Sequence, residues 1–146
     1  MGFIYQTTAT NLSVTDTGDF VQLRNSSTLS VVIHEVRVWQ ESDTTLAMNT
    51  VRLHRGTGGA AGSAMTEREL NQGGPAAVVT GFSLPTTDVG TLTGDMQSGW
   101  NILQEFLYLP IPEDRIILAA SDHFGVSLRV ADTLTIGCSV IWEEMV

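Results

Sequence analysis

The stretch HFGVSLRVADTLTIGCSVIWEE, residues 123–144, decides the fold class. In its first half Phe124, Val126, Leu128 and Val130 alternate with His123, Gly125, Ser127 and Arg129. In its second half Leu134, Ile136, Cys138, Val140 and Trp142 alternate with Thr133, Thr135, Gly137 and Ser139. A period of two with one apolar face is the mark of a half-buried strand. Only Ala131 and Asp132 separate the two runs, a spacing that predicts a hairpin.

Working outward, LSVVIHEVRVWQ (29–40) is long and β-branched, but its phase changes midway. Leu29, Val31 and Ile33 share one parity, and Val36 and Val38 share the other. Either a β-bulge lies near His34-Glu35, or both faces of the first half are covered. ESDTT then predicts a turn into LAMNTVRLHR, where Val51 and Leu53 face one way and Arg52 and His54 the polar way. DFVQLRN and AAVVTGFSL read as shorter strands.

WNILQEFLYL (100–109) is apolar on both parities, with Ile102, Phe106 and Tyr108 opposing Leu103, Leu107 and Leu109. A surface strand of an antiparallel sheet is polar on one side. Two apolar faces predict that this chain or another subunit covers the second one. The run ends at Pro110 and Pro112, which have no N–H for a ladder. Glu113 and Asp114 favour an exposed turn, and Arg115 leads into the next strand, IILAA, pairing with Glu113 or Asp114.

Two segments lack strand character and read as long loops, 55–75 with six glycines and 85–99 rich in Thr and Gly. Loops of that length in a compact domain are functional or disordered. Within the first, TERE fits a capping box and predicts one helical turn over Thr66–Leu70. Residues 1–18 read as an N-terminal arm or an edge strand. About eight core strands, an N-terminal one and regular turn signals predict an all-β antiparallel sandwich, jelly-roll-like, in a single domain spanning residues 1–146.

The chain has 146 residues, is 42% hydrophobic and only 16% charged, which is a globular composition. Its net charge is −9, and all seven basic residues are arginine. An acidic surface with scattered arginines repels phosphate, so no nucleic-acid partner is expected. The absence of lysine fits a compositional bias or a use of rigid guanidinium forks at subunit contacts. No apolar run approaches the ~18 residues of a membrane span. MGFIYQ lacks the basic region of a signal peptide and fails the myristoylation pattern at Gln6.

No catalytic constellation is visible, so no enzyme activity is expected. His34, His54 and His123 form no H-x-H pair, and each reads as structural. Cys138 lies on the apolar parity of a core strand and reads as inert packing with a raised pKa. RGTGGAAGS lacks the lysine of a phosphate loop. Asp16, Asp19, Asp88 and Asp95 lie in expected loops without the spacing of a Ca²⁺ cage. No metal or cofactor is expected. Of the three tryptophans, Trp142 has core parity, and Trp39 or Trp100 could serve as an aromatic platform for a sugar.

GWNILQEFLYLPIPEDRI and GVSLRVADTLTIGCSVIWEE, with VRLHRGTGGAAGSAM in the middle, resemble small virion proteins of tailed bacteriophages. In that group a P-x-P-E-D-R-I turn precedes a glycine-bearing strand and the chain closes on acidic residues. The group includes capsid decoration, or cement, proteins with a jelly-roll-like fold. The resemblance implies a homotrimer on the capsid exterior, made in the host cytoplasm, whose partners are its own copies and the major capsid protein. On this reading Trp100, Leu103, Leu107, Leu109 and Arg115 form the subunit interface. Arg55, Gly58, Gly59, Met65 and Arg68 form a loop that touches the capsid. The alternative is a carbohydrate- or receptor-binding jelly-roll module of a phage tail.

Overall fold

The computed structural model describes residues 2–41, 48–59 and 62–145. The described residues form twelve strands: β1 (Phe3–Val14), β2 (Asp19–Arg24), β3 (Val31–Gln40), β4 (Met48–Thr57), β5 (Ser63–Ala64), β6 (Glu67–Glu69), β7 (Thr80–Ser83), β8 (Thr91–Asn101), β9 (Phe106–Tyr108), β10 (Ile117–Leu118), β11 (His123–Leu128) and β12 (Leu134–Glu144). They make two antiparallel sheets packed face to face. One has the order β10-β3-β12-β1-β6, with β9 also on β3. The other has the order β5-β7-β2-β11-β4-β8. β1 to β4 alternate between the sheets, β4 and β8 pair within the second, and the first and last strands lie side by side. This is the jelly-roll arrangement of a folded-over antiparallel ribbon.

The period-two strands behave as their side chains dictate. Leu134, Ile136, Cys138, Val140 and Trp142 of β12 are all buried, as are Phe124, Val126 and Leu128 of β11. They meet the inward residues of β1, β3 and β4 in one core, where Tyr5 stacks on Trp142 with ring centroids 5.9 Å apart. Burial pushes the Cys138 thiol far above its ordinary pKa. The phase change in β3 is a β-bulge. Ile141 opposes Glu35 while Trp142 opposes Ile33, so His34 is the extra residue. A second bulge interrupts β1 between Ala9 and Leu12, with Asn11 at a φ of 54°.

The expected hairpin of β11 and β12 does not form. The two strands belong to different sheets: β11 pairs with β2 and β4, and β12 with β1 and β3. Each is an interior strand with both edges occupied, so the connection between them crosses from one sheet to the other. The run 100–109 is likewise not one strand. Trp100 and Asn101 end β8 in one sheet, and Phe106–Tyr108 form β9 in the other.

The segment expected as a loop at 85–99 contains most of β8, which pairs with β4 from Met48↔Asn101 to Thr57↔Thr91. It shows no apolar alternation because it is an edge strand, largely exposed on both faces. β1 is not a free arm, and among the described residues it is an edge strand only beyond Thr7, where β6 ends. β1 lies between β12 and β6 and is pinned along its length to β12. The expected helical turn at Thr66–Leu70 is replaced by β6, an added strand opposite Tyr5–Thr7 of β1.

The described part of the glycine-rich segment 55–75 is therefore no free loop. Its start completes β4. Beyond the glycines, β5 extends one sheet by pairing with β7, and β6 extends the other. The strap closes one edge of the sandwich. Its far end is held by Glu144, whose buried carboxylate accepts the Val78 N–H at 2.9 Å and the Val79 N–H at 2.8 Å. The turn expected from ESDTT falls on 42–47, outside the described residues apart from Glu41.

Candidate interaction surface

The interruption between the two apolar runs at 107–118 is a rigid corner. β9 and β10 both pair with β3, on the edge that β12 leaves open. Between them Pro112–Asp114 makes a single 3-10 turn, closed by the Asp114 N–H to the Ile111 carbonyl at 3.0 Å. Tyr108 ties the corner together. Its hydroxyl donates to the Asp114 carbonyl at 3.0 Å and accepts the Ile116 N–H at 3.1 Å. Burial holds this phenol above its ordinary pKa.

The consequence is a strict division of side chains. Ile102, Phe106 and Tyr108 enter the core, while Leu103, Leu107 and Leu109 remain 63%, 48% and 65% exposed. Ile111 at 62% and Ile117 at 49% continue the apolar character around the corner. Among the described residues, about half or more of each of these five residues is left uncovered. Monomeric proteins rarely leave such a concentration of large aliphatic groups in water unless it meets a partner.

Two of the expected interface residues stand elsewhere. Trp100 is only 2% exposed and packs in the protomer's own core, its Nε1 donating to the Gln104 carbonyl at 2.6 Å. It has no surface to offer a neighbour, because its parity on β8 points between the sheets. Arg115 is half-buried, and no ion pair joins it to Glu113 or Asp114 among the described residues. Its Nε is buried without a hydrogen-bond partner beside the cleft that Leu53, Met96 and Ile116 line.

The five expected capsid-contact residues are not brought together. Arg55 lies on β4 and reaches between the sheets to donate to the Ile117 carbonyl. Gly58 and Gly59 turn the chain at φ values of 87° and 100°, and Gly59 passes so close to Gln22 that a Cβ would meet its Oε1 at 2.7 Å. Met65 and Arg68 lie on the strap, Met65 donating its N–H to the Gly81 carbonyl and packed against the core, Arg68 exposed on β6.

The structure also holds a buried polar cluster that residue reading missed. His54, assigned to a polar surface, is 2% exposed, with Nε2 2.8 Å from Asp19 Oδ1. The other Asp19 oxygen accepts from Gln22 Nε2 and the Val89 N–H, each at 2.8 Å. Asp19 is therefore in β2 and buried, not in a loop, and Asp95 is on β8, ion-paired to Arg52 at 3.0 Å. Asp16 and Asp88 do lie in connections, where they accept the Gly18 and Asp19 N–H groups. The one sequence signal was Gly125. It sits opposite His54, and a Cβ there would come within 2.5 Å of the imidazole.

Among the described residues, no group of three or more His, Cys, Asp or Glu side chains is placed to hold a metal ion. No helix of the described residues is long and apolar enough to cross a membrane. Compared with models of known protein families and with curated proteins, the chain matches none.

Proposed function

We propose that the protein is a virion structural protein of a tailed bacteriophage that decorates and reinforces the capsid exterior as a homotrimer. The observation that carries this reading is the exposed aliphatic ridge of Leu103, Leu107, Leu109, Ile111 and Ile117, displayed along a hydrogen-bonded corner. A ridge on one edge of a protomer that meets a different surface of the next makes a head-to-tail contact, which closes into a ring when the rotation permits. The net charge of −9 suits an outer surface, away from packaged DNA. Three modest footprints on one trimer reinforce each other through effective concentration, so no single deep site is needed.

The test is co-expression with the major capsid protein encoded in the same genome, followed by sedimentation of the assembled shells. The protein is expected to travel with the shells and to elute alone as a trimer. Shells that sediment without it, or a purified protein that is monomeric at all concentrations, overturn the reading.

A further inference from the structure

The outer face of the β3–β12–β1 sheet carries a shallow depression of about 450 Å³ lined by Gln6, Thr8, Glu35, Arg37, Trp39 and Ser139, with Glu105 and Ile141 at its margin. Its chemistry differs from the ridge. Trp39 is directly opposite Gly137 in the β3–β12 ladder, and a Cβ on Gly137 would lie 2.2 Å from the indole Cε2. The missing side chain lets the indole lie across the neighbouring strand instead of standing off the sheet. Its Nε1 donates to Glu41 at 3.0 Å, which fixes the ring in that pose. The ring is half-buried, and its remaining surface lines the depression.

The polar floor is held in place as well. Gln6 Nε2 and Thr8 Oγ1 both point at Ser139 Oγ, at 2.9 and 3.2 Å. Arg37 is paired with Glu35 and lies 3.5 Å from Glu105. A guanidinium has five donors and a carboxylate about four acceptor positions, so these pairs leave capacity for a further hydrogen-bonding ligand.

We infer that this depression is a binding site for a neutral saccharide. A pyranose presents one apolar face to a ring and hydroxyls that both donate and accept around its rim. Trp39 supplies the flat apolar surface. Arg37 and Gln6 supply donors, and Glu35 and Glu105 supply acceptors. Three carboxylates stand against one arginine when Glu41 is included, which disfavours an acidic sugar or a phosphate. Glu35 and Glu105 are engaged by Arg37, and Glu41 by the Trp39 and Asn11 N–H groups, which disfavours a simple cation. Trp39 and Gly137 lie on interior strands of the sheet, and the site adjoins the ridge where Leu107 opposes Arg37 in the β3–β9 ladder. Pockets of roughly 300–1,000 Å³ accommodate small ligands, so a mono- or disaccharide unit is the appropriate size.

The test uses the full chain and tryptophan fluorescence. Trp100 and Trp142 are buried, so Trp39 is the tryptophan that a ligand on this surface reaches. Maltotetraose, cellotetraose and chitotriose are titrated alongside choline and polygalacturonate. Binding of at least one neutral oligosaccharide is expected, weakened about tenfold or more in Trp39→Ala. Gly137→Ala displaces the indole while keeping it, and the same loss is expected there, with circular dichroism confirming the fold. Ile117→Asp, at the far end of the ridge opposite Val32, is expected to bind sugar as the unaltered protein does, so failure of the trimer reading leaves this result readable. No response to a neutral-glycan array at millimolar ligand, binding that survives Trp39→Ala, or a response to choline or polygalacturonate alone overturns the assignment.

Discussion

Replacing Leu103 and Leu107 together with Asp is the most direct probe of the ridge. Fully burying a leucine is worth roughly 1.5–3 kcal/mol, so residues 63% and 48% exposed each retain about 1–2 kcal/mol of burial that the protomer does not realise. Five such side chains amount to roughly 5–9 kcal/mol per contact, against an association cost of ~4–15 kcal/mol. The margin is narrow. Losing two leucines removes about 2–4 kcal/mol, and two carboxylates then face desolvation in the contact. A loss near 3 kcal/mol weakens association more than a hundredfold. Sedimentation velocity across a range of concentrations is expected to show trimers for the unaltered protein and monomers for the double variant. Thermal unfolding of the monomer should be little changed, because both positions are outside the core. A double variant that sediments as the unaltered protein does refutes the reasoning.

Three further outcomes are expected. Glu144→Ala removes the acceptor for the Val78 and Val79 N–H groups and should cost about 2–4 kcal/mol in urea unfolding, with new protease cuts in the strap at 62–79; an unchanged midpoint and digest would show that the strap is held by its strand pairing alone. Cys138 should resist alkylation in the native state and react at once in denaturant, since burial disfavours its thiolate. His123 is held below its ordinary pKa of 6.5, first by burial and then by Arg24. Its unfolded form therefore takes up a proton before the folded form does. Its contribution to stability is complete above pH 6.5 and is lost as pH falls below it toward the folded pKa. His123→Gln should flatten that part of the stability profile, and an equal slope in the variant would assign it to another group.

Strand identity was legible wherever one face is dry and the other wet. β11 and β12 could be read from their alternation, because burial of one face imposes a period of two, whereas the shift of parity at His34-Glu35 allowed a bulge or two covered faces until the register of β3 on β12 gave the bulge. β8 could not be read, since an edge strand exposed on both faces carries no such pattern. The strap strands β5 and β6 are short, and their hydrogen bonds to β7 and β1 outweigh the capping preference of Thr66. At the ridge, the two opposed apolar sets in 102–109 were visible in the sequence. Which set is open to water was not, because that depends on how β9 docks on β3.

The sequence by itself determined that this chain folds as antiparallel strands around one apolar core and that its Pro-Glu-Asp turn interrupts an apolar region. Alternation and proline chemistry are local, so a single chain displays them without its partners. Only the tertiary structure decided that β11 and β12 separate into two sheets, that Trp100 is internal, that His54 is buried against Asp19 and that Trp39 lies across Gly137. Each of these depends on a strand remote in sequence, and the pairing of remote strands is set by the competition of every edge for a partner.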